Sequence, residues 1–512
     1  YRHVEVAVDS LRPGDSTLTV RVDVDEANMH SARVGIGGGT LDCGRASGEL
    51  VDRDFLGGAR RLELTARVSK IGSGEPLRVQ DLNDICRQAR EDPYSDTLNY
   101  YVGATLRQPV LFGIRSIPAL TLFRERRSEY KAFLRTTDIG GVASITTTRF
   151  RSGPITTAYQ LEYGQTTAQP ALFCAVFNIC EDSARRSLSE AKRSAVLSVA
   201  FVKDRTRPRG ATNPSSGSIF RADVRHASKL ILSDSNLVFN RGTVDGSLYL
   251  PTVGGNVLAL RLRLGLVVGE TPTFEAARQF IPPQERLYAG GANSVRGYRQ
   301  NELGPAVYVL REEDVKVETI TPDDPSTAAA NDTVLALSID SADVGAIRPL
   351  RSVPTGGNSL IVASAEYRMR SPLLSDLVQF VTFVDVGEVW NRQGSETIKF
   401  RNLKWTPGAG VRVFSPFGAF RMDVGYNARE APAGPAYLDR FSRNAGAREQ
   451  PLFCVVPGRT TEVRRETSAT DGTFLGYQPV EASSACEGSF RPPERGTFLR
   501  RLTFNFSIGQ AF

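Results

Sequence analysis

The sequence predicts an all-β protein: a 16-stranded antiparallel transmembrane β-barrel preceded by the end of a smaller domain. Three observations carry this. Apolar and polar residues alternate with period two, and the apolar sides run unbroken for about nine to eleven residues, the length a tilted strand needs to cross a bilayer. Tight turns alternate with long hydrophilic loops, as in a barrel with one short-turned end and one long-looped end. The alternating runs also come to an even number, so an antiparallel sheet can close with no edge left in lipid. A soluble sandwich alternates too, but it needs neither apolar sides of that length nor long loops gathered at one end.

Residues 1–28 stand apart. "HVEVAV" and "LTVRVDV" are alternating runs joined by a Pro-Gly turn in "DSLRPGDST", which reads as a hairpin, so the barrel is assigned to 29–512. The chain opens on Tyr1 instead of Met, as a processed form or a fragment would. Strands are expected at 31–40, 46–54, 60–70, 98–108, 117–127, 141–151, 155–166, 194–204, 217–228, 239–251, 256–268, 359–370, 378–390, 404–414, 418–427 and 498–512. In "NVLALRLRLGLVVG", Leu258, Leu260, Leu262, Leu264 and Leu266 oppose Ala259, Arg261, Arg263 and Gly265, giving one lipid-compatible face and one basic face. The same logic serves 61–68, and 419–427, where Phe420, Met422, Val424 and Tyr426 oppose Arg421, Asp423, Gly425 and Asn427. "TVGG" at 252–255 and "SPFG" at 415–418 are tight turns, whereas 270–358 and 428–496 are long and hydrophilic. Helical spacing appears in two loops, at 76–90 (Val79, Leu82, Ile85, Ala89) and at 181–194, with loop stiffening as the expected role.

Composition narrows the function classes. The 63 Lys and Arg exceed the 56 Asp and Glu by only 7, and they are spread along strands, so no nucleic-acid partner is expected. Six cysteines without metal-ligand spacing, three histidines and no nucleophile or phosphate-loop pattern predict no enzyme, no metal and no cofactor. One glycine-rich stretch remains, "LYAGGANSVRGYRQNELG" at 287–304, which presents a single arginine, Arg296, between Val295 and the pair Gly297-Tyr298.

That stretch converges with others on one family. The sequence resembles the outer-membrane barrel-assembly and translocation superfamily, which includes the Bam and Tam barrel subunits and the two-partner secretion translocators. The resemblance covers 31–512, and 1–28 look like the end of the last POTRA domain that precedes such barrels. "VRGY" at 295–298 is similar to the motif of the family's sixth extracellular loop, and its lead-in "PPQERLYAGG" resembles the Tam branch. "FVDVGEVW" at 383–390 resembles the FxDxGxVW strand, and "VRVFSPFGAFRMDVGY" at 411–426 the penultimate hairpin. "KDRTRPRGATNPSSG" at 203–217 is similar to the D-x-R…P-x-x-G turn, though longer in the middle. "FNFSIGQAF" ends the chain on an aromatic, as the recognition signal of outer-membrane barrels does.

The resemblance implies that the 270–358 loop folds back inside the barrel, where its arginine meets acidic groups on the inner wall. Parity supplies two: Glu366, with Ala365 and Tyr367 outward, and Asp385, between Val384 and Val386. Val295, Arg296, Gly297, Tyr298, Glu366 and Asp385 are thus the candidate lumen anchor. Glycine weakens strand pairing, so the seam between the first strand (Gly35, Ile36, Gly37, Gly38, Gly39) and the last (Phe506, Ile508, Gly509, Phe512) is the candidate lateral gate. The implied role is an outer-membrane insertase or translocase acting on unfolded β-barrel clients, with lipid and lipopolysaccharide around it and periplasmic or lipoprotein accessory subunits. A two-partner secretion pore is the alternative within the family, and a passive diffusion porin the alternative outside it. The strand order puts all six cysteines in extracellular loops, an oxidising setting, and the expected pairs are Cys43 with Cys86, Cys174 with Cys180, and Cys454 with Cys486.

Overall fold

The computed structural model describes residues 3–8, 20–25, 28–79, 86–109, 115–148, 153–208, 213–271, 280–320, 334–340, 346–374, 377–392, 402–415, 418–440, 451–468, 470–480, 486–494 and 496–508. Sixteen strands close into one antiparallel barrel. In chain order they are β1 (His30–Gly39), β2 (Cys43–Asp52), β3 (Arg61–Ile71), β4 (Asn99–Arg107), β5 (Ser116–Glu129), β6 (Phe133–Thr147), β7 (Ile155–Ala168) and β8 (Lys192–Asp204). There follow β9 (Gly217–Ala227), β10 (Phe239–Pro251), β11 (Val257–Gly269), β12 (Ser359–Arg370), β13 (Val378–Trp390), β14 (Lys404–Ser415), β15 (Gly418–Tyr426) and β16 (Leu502–Ile508). Separately, His3–Val8 pairs with Val20–Asp25 as an antiparallel hairpin.

The alternation sorts side chains to the two faces. Leu260, Leu262, Leu264 and Leu266 of β11 point out of the barrel and are exposed, while Ala259 and Val267 are buried. On β1, Val34 and Ile36 are 85% and 79% exposed, an apolar surface that lipid would cover. Among the described residues no helix is long and apolar enough to cross a membrane.

The structure departs from the sequence expectations at several places. β6 begins at Phe133 instead of 141, because Arg135, Thr136 and Thr137 interrupt its apolar start and a register shift between Thr137 and Ile139 breaks the alternation. β2 starts at Cys43, which is therefore a strand residue and not part of the loop. β16 starts at Leu502, since Phe498–Arg501 coil into a 3-10 turn, and 509–512 lie outside the described residues. The helix expected over 76–90 is short, α1 (Arg87–Glu91), with 80–85 outside the described residues. That within 181–194 is α3 (Asp182–Ser189), preceded by an unanticipated helix, α2 (Pro170–Phe177). α2 is apolar all round, so it shows no helical period; Ala171, Leu172, Phe173, Cys174 and Phe177 are buried.

The two longest loops are also less hydrophilic in effect than they read. Together they build two four-stranded sheets: Arg351–Pro354, Ala306–Val309, Ala436–Leu438 and Phe453–Cys454 form one, and Lys316–Ile320, Val334–Ser338, Thr460–Thr467 and Phe474–Pro479 the other. Strands this short leave little period to detect. Val307, Val309, Val353 and Tyr437 of the first sheet pack with Leu172, Phe173 and Phe177 of α2 and with Phe133 and Ala168 at the ends of β6 and β7. The result is a cap with its own core on the long-looped end. Tyr308, Tyr437, Phe453 and Phe490 are fully buried in it, each contributing roughly 1.5–3 kcal/mol of apolar burial.

Candidate functional site

Before the cap strands, the same long loop runs down the inner wall of β11–β13. Val295, Tyr298, Leu287 and Leu303 pack against Val267, Leu360, Val362 and Val389. The loop is pinned at its start by paired backbone bonds between Leu287 and Gly357, 2.9 Å each way. Beside this pin Arg286 is buried with no carboxylate partner among the described residues. It donates to the carbonyl oxygens of Thr355 (2.6 Å) and Gly356 (3.0 Å) and to Asn391 Oδ1 (2.6 Å), and burial pushes its guanidinium down to about 10.

The tip carries Arg296, 3% exposed. Its guanidinium grips Asp385 in bidentate fashion, Nε to Oδ2 and Nη2 to Oδ1, both at 2.8 Å, while its backbone N–H donates to the same Oδ2 at 3.0 Å. Nη1 donates to Glu366 Oε2 at 2.6 Å, and the plane lies over the Phe383 ring, 3.3 Å from its centroid. A planar five-donor fork meets all of this at once; an ammonium would reach one partner and lose the stacking. Both carboxylates have further support: Ser364 Oγ donates to Asp385 Oδ1 at 2.6 Å, and Glu366 Oε1 accepts from Arg368 (2.7 Å) and Arg412 (2.6 Å).

Glycine is required at the tip because backbones nearly touch. A Cβ on Gly297 would lie 2.5 Å from Thr406 Cγ2, and one on Gly425 of β15 would lie 2.6 Å from the Arg296 carbonyl carbon. Two side chains of β16 hold the tip directly: Thr503 Oγ1 donates to the Gly297 carbonyl (2.9 Å) and Asn505 Nδ2 to the Arg296 carbonyl (3.2 Å). The structure thus brings together Val295, Arg296, Gly297, Tyr298, Glu366 and Asp385. Phe383, Thr406, Asp423 (its Oδ2 3.9 Å from Arg296 Nη1), Thr503 and Asn505 were missed from sequence as site residues, although the parity that selects Glu366 would have placed each of them on the inner face. Thr503→Val should leave the Gly297 carbonyl unsatisfied and cost about 1–3 kcal/mol, read as a shift in a urea unfolding midpoint.

The same loop also reaches the other side of the seam. Arg299 Nη1 meets Glu91 Oε2 at 2.6 Å, at the end of α1. α1 follows Cys86, which is disulfide-bonded to Cys43 beside the upper end of β1. Cys174 pairs with Cys180, and Cys454 with Cys486. Removing the first bridge as a Cys43→Ser, Cys86→Ser pair should cost about 2–4 kcal/mol, measured by denaturation against the intact protein.

At the seam itself, among the described residues, Gly39 faces Ser507 and Gly38 faces Ile508, with one more bond from Thr40 N to the Phe506 carbonyl at 3.2 Å. By contrast, β15 and β16 pair continuously from Phe420 opposite Ile508 to Tyr426 opposite Leu502. Gly35, Ile36 and Gly37 pair with β2 on their other edge. Gly509 and Phe512 lie outside the described residues.

A glycine-tipped loop sealed into a 16-stranded barrel by an arginine is a narrow combination, and a family model agrees with it: the Omp85 superfamily domain matches residues 55–512. The chain belongs to the Omp85 superfamily. Barrels of this family reside in the bacterial outer membrane as transporters and insertases. Among solved structures, BamA from Haemophilus ducreyi lacking POTRA domains 1–3 is similar, with 16% identity and a TM-score of 0.55 over 84% of this chain and 72% of that one. CdiB from Acinetobacter baumannii matches at 12% identity and a TM-score of 0.43, over 83% of this chain and 62% of that one. At such identities the likeness to BamA speaks for the Omp85 fold alone.

Proposed function

We propose that this Omp85 barrel is an outer-membrane insertase or translocase that assembles or exports β-rich client proteins through the seam between β1 and β16. In this reading the long loops and cap face the outside. The 1–28 hairpin is the end of a POTRA domain on the periplasmic side, and lipopolysaccharide, unfolded clients and accessory subunits are the partners. The observation that supports it is the closing pair, which among the described residues is Gly38 with Ile508 and Gly39 with Ser507, against a β15–β16 ladder that runs from Phe420 to Tyr426. An opened seam presents unpaired backbone groups where hydrocarbon meets protein, and an incoming strand can satisfy them by β-augmentation. The loop against the inner wall and the packed cap stand in the way of an open diffusion path.

The reading is tested with purified protein in vesicles, following both the folding of an unfolded outer-membrane barrel and the leakage of a small solute. Expected is client folding at least tenfold faster than in protein-free vesicles, with leakage at background. Rapid leakage without faster folding would instead make the barrel a pore.

A further inference from the structure

Below the loop tip, in the half of the barrel toward the short turns, lies a cavity of about 630 Å³. Its roof is Ala292, Asn293 and Ser294, tied down by Arg421 Nη2 to the Ala292 carbonyl (2.8 Å) and Arg261 Nη1 to the Asn293 carbonyl (3.1 Å). Its floor includes Thr206 and Pro214 of the β8–β9 turn. Next to Pro214, Asn213 accepts from Arg368 of β12 at 2.8 Å and donates to Gln379 of β13 at 3.3 Å.

Guanidiniums outnumber carboxylates on the walls, with Asp385 and Asp423 behind them pairing Arg296 and Arg421. Arg221, Arg261, Arg296, Arg368, Arg412 and Arg421 line the cavity, against the carboxylates of Asp204 and Glu366. Glu366 is already shared by three guanidiniums. Asp245, which faces Arg221 across the strand pair, is taken by Arg261 at 2.5 Å. Arg221 is therefore left exposed to the cavity, with no hydrogen bond or ion pair among the described residues. Two buried lining atoms, Arg412 Nε and Ser294 Oγ, also have no hydrogen-bond partner there.

We infer that this cavity is a binding site for an acidic peptide segment, whose carboxylates are taken by Arg221 and the free edge of Arg412. Guanidinium forks bind carboxylates in bidentate fashion and do so best where water is few. A peptide fits better than a lipid headgroup because the barrel wall separates the cavity from the bilayer. It also fits better than a single small anion because the arginines are spread over five strands and the loop. The site deepens the reading given above, on which it rests only for the idea that peptides enter the barrel.

The test is equilibrium binding to the whole protein in detergent, which involves no insertion step and so fails or succeeds independently of the seam. The probe is a fluorescent hexapeptide amide of alternating Gly and Glu, compared with its Gln counterpart. Expected is at least tenfold tighter binding of the Glu peptide at low salt, weakening as salt rises, with at least a threefold loss in Arg221→Ala and no measurable binding in Arg221→Glu. Arg221 has no partner to lose among the described residues, so these variants should fold. Equal affinity for the two peptides, or unchanged binding in both variants, would overturn the site. Displacement by inorganic phosphate at concentrations no higher than the peptide's would overturn the peptide assignment in favour of a small anion.

Discussion

Arg296→Ala should lower the stability of the barrel by on the order of 3–5 kcal/mol, the range for removing one member of a buried charge network. The variant strands Asp385, which is fully buried, and takes from Glu366 one of its three cationic partners. It also removes the cation stacked on Phe383. The loss should be larger at Asp385 than at Glu366, because Arg368 and Arg412 still hold the latter whereas Asp385 keeps Ser364 and one backbone N–H. Accordingly, Arg296→Ala with Asp385→Asn should be more stable than Arg296→Ala alone, since the amide carries no charge to strand. Arg296→Lys should recover less than half of the loss, being a point charge where a fork is needed. Urea titrations of the folded and unfolded bands of the four proteins measure this. A loss under about 1 kcal/mol would mean that water screens the site as it does surface ion pairs.

The barrel was legible because its signal is repeated many times at one period. Leu258 to Leu266, or Val384 and Val386 around Asp385, fix a face by parity alone, and an error of two residues in a strand end leaves that face unchanged. The same parity puts Asp385 and Glu366 inside, but it cannot say that their Cα positions converge on one loop tip; that depends on the barrel's curvature and on the Gly297–Gly425 approach. Phe383, though parity puts it inside, was passed over for a different reason. It is apolar yet faces inward opposite Glu366, so hydrophobicity points the wrong way and only its aromatic face for Arg296 explains it. The cap strands could not be read either. Ala306–Val309 pairs in parallel with Ala436–Leu438, from a different loop, and no local pattern encodes a partner so distant in sequence.

The seam carries the second large effect. Thr40→Cys with Phe506→Cys places thiols on residues joined by the Thr40 N to Phe506 carbonyl bond, and neither change asks a glycine to accept a side chain. A disulfide there closes the ring of strands covalently, so on the proposed reading a client can no longer insert between β1 and β16, while every other strand pair is left as it is. A like bridge between Val244→Cys and Leu264→Cys, opposite each other on β10 and β11 and both outward, serves as the control. It adds a cross-link of the same kind away from the seam. Each single cysteine variant reports any effect of the substitutions themselves.

The direct measurement is the rate at which an unfolded outer-membrane barrel folds into vesicles carrying the seam-locked protein. With the β1–β16 bridge formed, that rate should fall at least tenfold, to that of protein-free vesicles, while the β10–β11 bridge leaves it unchanged and both locked proteins stay folded. Insertion at the unlocked rate through a fully bridged seam would contradict the account.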